Sequence, residues 1–148
     1  MSDKLESGIA RDQAYALLIE YNKDPYHIKH GEQLEALMRY YAERYDPANV
    51  DFWGQVGLLH DLDWEKWPDA QLHTMKTAEI LADAGADPAL AKSIQTHNSD
   101  MNDQLPKPEL QMEKVLFAID ELSGLINACD HMRPSHSVAY MSEKCLMK

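Results

Sequence analysis

The sequence predicts an all-α protein, a compact single-domain bundle of about six helices that covers residues 1–148. Apolar residues recur at three- and four-residue steps almost throughout the chain, and no segment alternates with the two-residue period of a strand. A length of 148 residues suits one domain with one core. The 45% hydrophobic and 26% charged residues are an ordinary globular balance. Together these observations favour a folded helical domain over a disordered chain.

Three helices are predicted in the first half of the chain, and Asp-Pro pairs separate them. The first covers about residues 9–21, and Asp24-Pro25 ends it because proline disfavours the helical conformation in the residue before it. The second continues from there to about residue 45, where Asp46-Pro47 ends it. The third covers about residues 52–60. An acidic, aromatic loop then follows at residues 61–68.

Three further helices are predicted in the second half, at about residues 69–84, 87–97 and 109–129. Asp87 is the expected N-cap of the fifth helix, with Pro88 at its first helical position. Residues 98–108 are polar and contain two prolines, so we expect a loop there. Residues 137–148 are expected to begin a last helix. The motif-bearing part of the domain covers about residues 25–135.

The charge of the chain excludes several classes of function. A net charge of −11 argues against binding a nucleic-acid duplex or an anionic membrane surface, both of which need a basic footprint. The sequence has neither a run of about 18 apolar residues nor an apolar N-terminal signal. Cys129 and Cys145 are the only cysteines, and they form no CxxC motif. We therefore expect a cytoplasmic protein, in which any phosphorylated ligand needs a local source of positive charge.

Histidine and aspartate residues are predicted to face the core from five helices or helix ends. The residues are His30, His60, His73, His97 and Asp120. One histidine on an apolar face is more often a hydrogen-bonded core residue than a ligand, but five such positions are harder to explain in this way. A buried carboxylate needs a partner or a metal, and imidazole with carboxylate suits Zn, Fe, Mn, Ni or Co. The pattern favours a metal centre in the helical core.

Three other motifs are absent from the sequence. There is no HExxH pair, which a helical zinc protease would need. No glutamate is followed three residues later by histidine, as in ferritin-like bundles. A Gly-rich phosphate loop of the Walker type is also missing. These absences leave the ordered histidine and aspartate positions as the main signal.

The order of His30, His60-Asp61 and Asp120 resembles the HD-domain superfamily of metal-dependent phosphohydrolases. Residues 57–63 and 118–126 are similar to the two helices that enter the metal site of that family. Residues 30–39 and 133–135 are similar to its small bacterial, HDIG-type members. The resemblance implies that His30, His60, Asp61 and Asp120 bind one divalent ion (Mn, Fe, Co, Ni, Zn or Mg). It also implies a second ion at His73 and His97, with Asp61 as the bridge.

The resemblance implies hydrolysis of a phosphoester or phosphoanhydride bond by water that the metal activates. The expected partner is a small phosphorylated substrate, with nucleotides the commonest class. Two carboxylates just beyond the ligands are candidates for proton transfer, and two cations and one amide are candidates for substrate contacts. Solvated surface side chains are the alternative interpretation. The residues singled out for catalysis are Asp61, Asp63 and Glu65, and those for substrate binding are Lys66, Asn98 and Arg133.

Two other functions remain open at this point. A di-iron oxygenase could use the same six ligands for oxygen chemistry. A non-catalytic metal-binding or sensor module could keep the fold without the reaction. The presence of all six candidate ligands favours an enzyme over a degenerate module.

Overall fold

The computed structural model describes residues 3–131, and within them the chain forms six α-helices and two short 3-10 helices and no strand. The predicted all-α class is therefore confirmed. The α-helices are α1 (Arg11–Tyr21), α2 (Pro25–Tyr45), α3 (Val50–Leu59), α4 (Met75–Asp83), α5 (Pro88–Gln95) and α6 (Gln111–His131). The 3-10 helices are Pro47–Asn49 and Thr96–Asn98.

The chain divides into two compact units, at residues 1–117 and 118–148, and the boundary falls within α6. The first unit contains α1 to α5 and the start of α6. The second contains the rest of α6. The helix expected at residues 137–148 lies outside the described residues. The single-domain organisation stays a prediction.

Helix α3 forms the centre of the first unit. Every residue from Phe52 to Leu59 is buried, and α3 packs against α1, α2 and α5. A helix that is covered on all sides can be apolar all round, which explains why this segment shows little polar periodicity. His60 and Asp61 follow directly after this helix, so the most buried helix of the first unit positions the central motif.

Two glycines allow α2 and α3 to approach closely. A Cβ atom on Gly57 would lie 2.5 Å from the carbonyl oxygen of Leu34, and one on Gly31 would lie 2.8 Å from the carbonyl oxygen of Leu58. No larger residue fits without moving the backbone. Because His30 precedes Gly31 in the chain, this contact brings His30 to the end of α3.

Asp-Pro pairs begin helices as well as ending them. The carboxylate of Asp24 accepts the N–H of Tyr26 at 2.9 Å, and Pro25 is the first residue of α2. The carboxylate of Asp87 accepts the N–H of Ala89 at 2.9 Å, which confirms the predicted N-cap of α5.

None of the helices in the described part of the chain is both long and apolar enough to cross a membrane.

The predicted start of the fourth helix, at residue 69, is wrong. Residues 69–74 form turns, and α4 begins only at Met75. Thr74 has a φ of 70°, a left-handed conformation that is rare for a β-branched residue and that interrupts a helix. His73 therefore lies in a turn before α4 rather than on its inner face. The predicted fifth helix is α-helical only to Gln95, and His97 lies in the 3-10 helix that follows.

Candidate metal centre

The carboxylate of Asp61 lies among four imidazole rings. Its Oδ1 atom is 3.1 Å from Nε2 of His73 and 3.5 Å from Nε2 of His97. Its Oδ2 atom is 3.2 Å from Nε2 of His60 and 3.6 Å from Nε2 of His30. Each oxygen of one carboxylate thus faces its own pair of histidines.

The two members of each pair are also close to each other. The Nε2 atoms of His30 and His60 lie 3.1 Å apart, and those of His73 and His97 lie 3.1 Å apart. Ligand atoms of His30, His60 and Asp61 lie within 4.8 Å of one another, and so do those of Asp61, His73 and His97. The structure therefore brings four predicted histidine ligands around Asp61, in two groups that share this carboxylate.

Main-chain carbonyls orient two of the rings. Nδ1 of His60 donates to the carbonyl oxygen of Gly57 at 2.7 Å, and Nδ1 of His97 donates to that of Ile94. A carbonyl oxygen can only accept, so Nδ1 has the hydrogen in both rings. In the neutral ring, Nε2 then has the lone pair. This is the form of histidine that binds a metal through Nε2.

His73 is oriented by a side chain instead. Its Nδ1 donates to Oδ1 of Asp63 at 2.7 Å, and Oδ2 of Asp63 accepts the N–H of Thr77 at 2.9 Å. Nδ2 of Asn98 donates to the carbonyl oxygens of Ala70 and His73, at 2.8 and 3.1 Å. These bonds hold the turn that contains His73, which no helix supports at this point.

Charges around Asp61 favour its ionised form. Burial opposes ionisation, but the charge of His60 and hydrogen bonds from His60, His73 and His97 keep the pKa of Asp61 well below its usual range. Burial also opposes a charge on His73, but the carboxylates of Asp61 and Asp63 raise its pKa from 6.5 to about 9. The cluster therefore has a strong affinity for positive charge.

These nitrogen and oxygen atoms are suitable ligands for a divalent cation. With neutral rings, the Nε2 lone pairs of His60, His73 and His97 and the oxygens of Asp61 are all acceptors. Acceptors at separations near 3.1 Å repel one another unless a proton or a metal ion lies among them. Imidazole nitrogen with carboxylate oxygen is a ligand set suited to first-row divalent ions. His30, His60 and Asp61 would hold one such ion, and Asp61, His73 and His97 another.

Four further residues were predicted for the site, namely Asp120, Arg133, Lys66 and Asn98. Asp120 lies on α6, in the second unit, and its role as a ligand stays a prediction. Arg133 lies outside the described residues. Nζ of Lys66, an exposed residue, is 4.7 Å from the ring centroid of Tyr21, a cation–π contact. Asn98 is buried and fastens the turn at His73. The substrate contacts predicted for Asn98 and Lys66 stay predictions.

Glu65 links the loop after Asp61 to the start of α2. Its carboxylate accepts the N–H group of Lys23 at 2.9 Å and that of Asp24 at 3.2 Å. The same carboxylate lies 2.9 Å from Nδ1 of His27. The hydrogen bond with His27 and those from the Lys23 and Asp24 backbone lower the pKa of Glu65. A lowered pKa weakens a carboxylate as a general acid or base. Its predicted role in proton transfer stays a prediction, and its contacts favour a structural role.

Two aromatic rings lie beside the histidines. The ring of Tyr26 is stacked on His30, with centroids 6.2 Å apart and planes at 8°. Trp64 meets His73 edge-on at 5.2 Å. Tyr26 was not among the residues predicted for the site, although it lies four residues before His30 and so on the same face of α2.

Four histidines around one carboxylate in a helical fold are typical of a metal-binding domain. The sequence profile of the HD domain matches residues 27–125, well over half of the chain, and the protein belongs to the HD domain family. This result confirms the resemblance deduced from the motifs. Comparisons with curated proteins and with solved structures find no match.

Proposed function

We propose that the protein is a metal-dependent phosphohydrolase that cleaves a phosphoester or phosphoanhydride bond of a small, nucleotide-like substrate. The observation that supports this most directly is Asp61, whose two oxygens face two pairs of histidine Nε2 atoms at 3.1 to 3.6 Å. Membership of the HD domain family supports a metal-dependent hydrolase over other uses of the same residues.

The residues of the chain prepare the site before any substrate arrives. A divalent ion held by Asp61 and the histidines would lower the pKa of water and offset negative charge on a phosphoryl group. The carbonyls of Gly57 and Ile94 fix the rings of His60 and His97 so that Nε2 faces the site. Asp61 stays ionised because its pKa is held low, and it can therefore serve both groups of ligands.

The charge of the chain and the nearby aromatic rings support the class of substrate. A net charge of −11 repels long polyanions, so a phosphate group needs the positive charge of bound cations. Tyr26, which is 47% exposed, and Trp64, which is half-buried, lie beside His30 and His73. Partly exposed aromatic rings next to the cluster suit a substrate that contains a flat ring.

The proposed partner is therefore a small phosphorylated molecule, and neither a nucleic-acid duplex nor a membrane surface. We also propose a cytoplasmic location, because the sequence has only two cysteines and they form no CxxC motif. Both proposals rest on composition and charge.

The test is an assay of metal-free protein reconstituted with Mn²⁺, Co²⁺ or Ni²⁺. We expect hydrolysis of p-nitrophenyl phosphate, of its bis ester or of a member of a nucleotide panel, and loss of this activity in His60→Ala. Asp83→Asn, which changes an exposed carboxylate on α4, is the control and should keep full activity. If the protein hydrolyses none of these substrates with any of the three metals, the proposal is contradicted. Two bound irons with redox-dependent spectra would instead support the oxygenase alternative.

A further inference from the structure

Asp63 is a fully buried carboxylate that lies next to the metal ligands. Its exposed fraction is 0%, and its two oxygens have different donors. Oδ1 accepts from Nδ1 of His73 at 2.7 Å, and Oδ2 accepts from the N–H of Thr77 at 2.9 Å. A side chain that is buried and paired on both oxygens is poorly placed to exchange protons with a substrate. Its contacts indicate that it acts on His73.

The bond from His73 to Asp63 decides which nitrogen of the ring faces the cluster. A carboxylate only accepts hydrogen bonds, so Nδ1 of His73 keeps its hydrogen. In the neutral ring, which is the form that binds a metal, the lone pair of Nε2 then faces Oδ1 of Asp61 and Nε2 of His97, each at 3.1 Å. His60 and His97 obtain the same orientation from main-chain carbonyls, but His73 depends on a side chain.

His73 also depends on this bond more than a residue in a helix would. It lies in the turn at residues 69–74, which ends in the left-handed backbone of Thr74. The N–H of Thr77 joins Asp63 to the first turn of α4, so one carboxylate fastens both sides of this turn. A weakened bond at Asp63 would release the ring and the turn together.

We propose that Asp63 is a positioning residue that selects Nε2 of His73 as the ligating nitrogen. It thereby builds the cation site of Asp61, His73 and His97 without contributing to that of His30, His60 and Asp61. The inference rests on the proposed function only in requiring that the wild-type protein bind two divalent ions.

Asp63→Asn tests this role with little change in volume. Asparagine offers one acceptor oxygen and one NH₂ group to two donors, Nδ1 of His73 and the N–H of Thr77. If the NH₂ group faces His73, the ring has to accept at Nδ1, and its hydrogen moves to Nε2, where it blocks metal binding. If the NH₂ group faces Thr77, two donors oppose each other and α4 has to shift. Either arrangement disturbs the second cation site.

Glu113→Gln is the matched control. Glu113 is also a buried carboxylate, 3% exposed, and it also accepts main-chain N–H groups, those of Glu109 and Leu110 at 2.9 and 3.0 Å. Its third partner is the hydroxyl of Ser93 at 3.2 Å. None of these partners is a predicted ligand, so the control matches the loss of a buried charge without touching His73.

The experiment is isothermal titration of metal-free protein with Co²⁺. We expect two binding steps for the wild type and for Glu113→Gln. For Asp63→Asn we expect one step unchanged and the other weakened by about 10- to 100-fold, the usual cost of losing a partner of a ligating histidine. Unchanged affinity at both steps would overturn the inference, and so would equal weakening of both.

A second measurement covers the case in which Asp63→Asn does not fold. Long-range ¹H–¹⁵N NMR of the wild-type protein loaded with Zn²⁺ should show His73 with its hydrogen on Nδ1. A His73 that binds zinc through Nδ1 would overturn the inference without any variant.

The outcome for the proposed function is separate. A wild-type protein that binds a single ion overturns the inference and leaves hydrolysis possible. A wild-type protein that binds two ions but cleaves no phosphoester overturns the proposed function, and the role of Asp63 stands.

Discussion

The Nε2 atoms of His73 and His97 lie 3.1 Å apart, and both face Oδ1 of Asp61. Hydrogen bonds at Nδ1 leave both Nε2 atoms as acceptors when the rings are neutral, so this distance requires a positive charge nearby. His30 and His60 repeat the same distance on the other side of Asp61. The acidity of the chain is therefore compatible with the proposed phosphorylated substrate, because cations held by the cluster would offset the charge of a phosphate group.

Metal binding should stabilise the protein, and Asp61→Asn should remove most of this effect. A ligand that binds only the folded state at about 100 times its Kd contributes about 2.7 kcal/mol. We expect Mn²⁺ to raise the Tm of the wild type and of Asp83→Asn in a calorimetric scan. Asp61→Asn loses the carboxylate that both groups of histidines share, so its Tm should hardly respond. An equal rise in all three proteins would place the ion elsewhere.

Gly57→Ala should destabilise the first unit and weaken metal binding together. The added methyl would lie 2.5 Å from the carbonyl oxygen of Leu34, so α2 and α3 must separate, at a cost of about 1–3 kcal/mol. That separation moves His30 away from His60. Urea unfolding and metal titration of the same samples measure both effects.

Gly124→Ala is the control for this variant. A Cβ atom there would meet none of the described residues within 4 Å, and alanine is the better helix former by about 1 kcal/mol. We expect it to be neutral or stabilising. Gly57→Ala with wild-type stability would show that α2 and α3 do not need this contact.

Glu65→Gln separates a structural role from a catalytic one. The amide keeps an acceptor for the N–H groups of Lys23 and Asp24 but loses the charge that faces His27. If Glu65 only fastens the start of α2, kcat should fall by less than about tenfold, whereas loss of a general acid or base costs about 10²- to 10⁴-fold. Metal-dependent hydrolysis at several pH values distinguishes the two, and a fall of 100-fold or more would identify Glu65 as catalytic.

Glu35 makes stability depend on pH. It accepts from Arg11 and Arg39, with closest distances of 2.9 and 3.2 Å. Burial raises its pKa, but the hydrogen bonds and charges of the two arginines outweigh burial, so the pKa is lower in the folded state. The ionised Glu35 therefore contributes its full stabilisation of the fold above the pKa that Glu35 has in the unfolded chain. This contribution is lost as the pH falls through the pKa of Glu35 in the folded state.

Glu35→Gln should thus lower the free energy of unfolding by about 2 kcal/mol at neutral pH and by progressively less in acid. Urea unfolding over a pH series measures the difference. Glu43→Gln, at an exposed position on the same helix, is the control and should change little at any pH. A difference for Glu35→Gln that is constant with pH would contradict the role of its charge.

Local sequence signals predicted the helices and most of the cluster. Apolar periodicity placed His30 inside α2 and His60 at the end of α3, because both positions continue the buried face of a helix. Asp87-Pro88 predicted the start of α5, since the cap forms within three residues. These features depend on neighbours in the chain, and they can be recognised without knowing the tertiary fold.

Features that depend on distant contacts were not predictable in the same way. The left-handed backbone of Thr74 has no sequence signal, because glycine is the usual residue there. The helix predicted from residue 69 was therefore wrong, and so was the position of His73 on it. The bond between Asp63 and His73 joins residues ten apart across this turn. Asp63 was consequently predicted as a proton carrier, whereas its burial favours a positioning role.

Anomalous diffraction from crystals soaked in Mn²⁺ tests most directly whether Asp61 is the centre of a metal site. We predict an anomalous peak within coordination distance of the Asp61 carboxylate. It should lie on the side of His30 and His60, on the side of His73 and His97, or on both sides. A map with no peak at Asp61 in crystals whose Mn²⁺ is bound elsewhere would contradict the metal centre proposed for this protein.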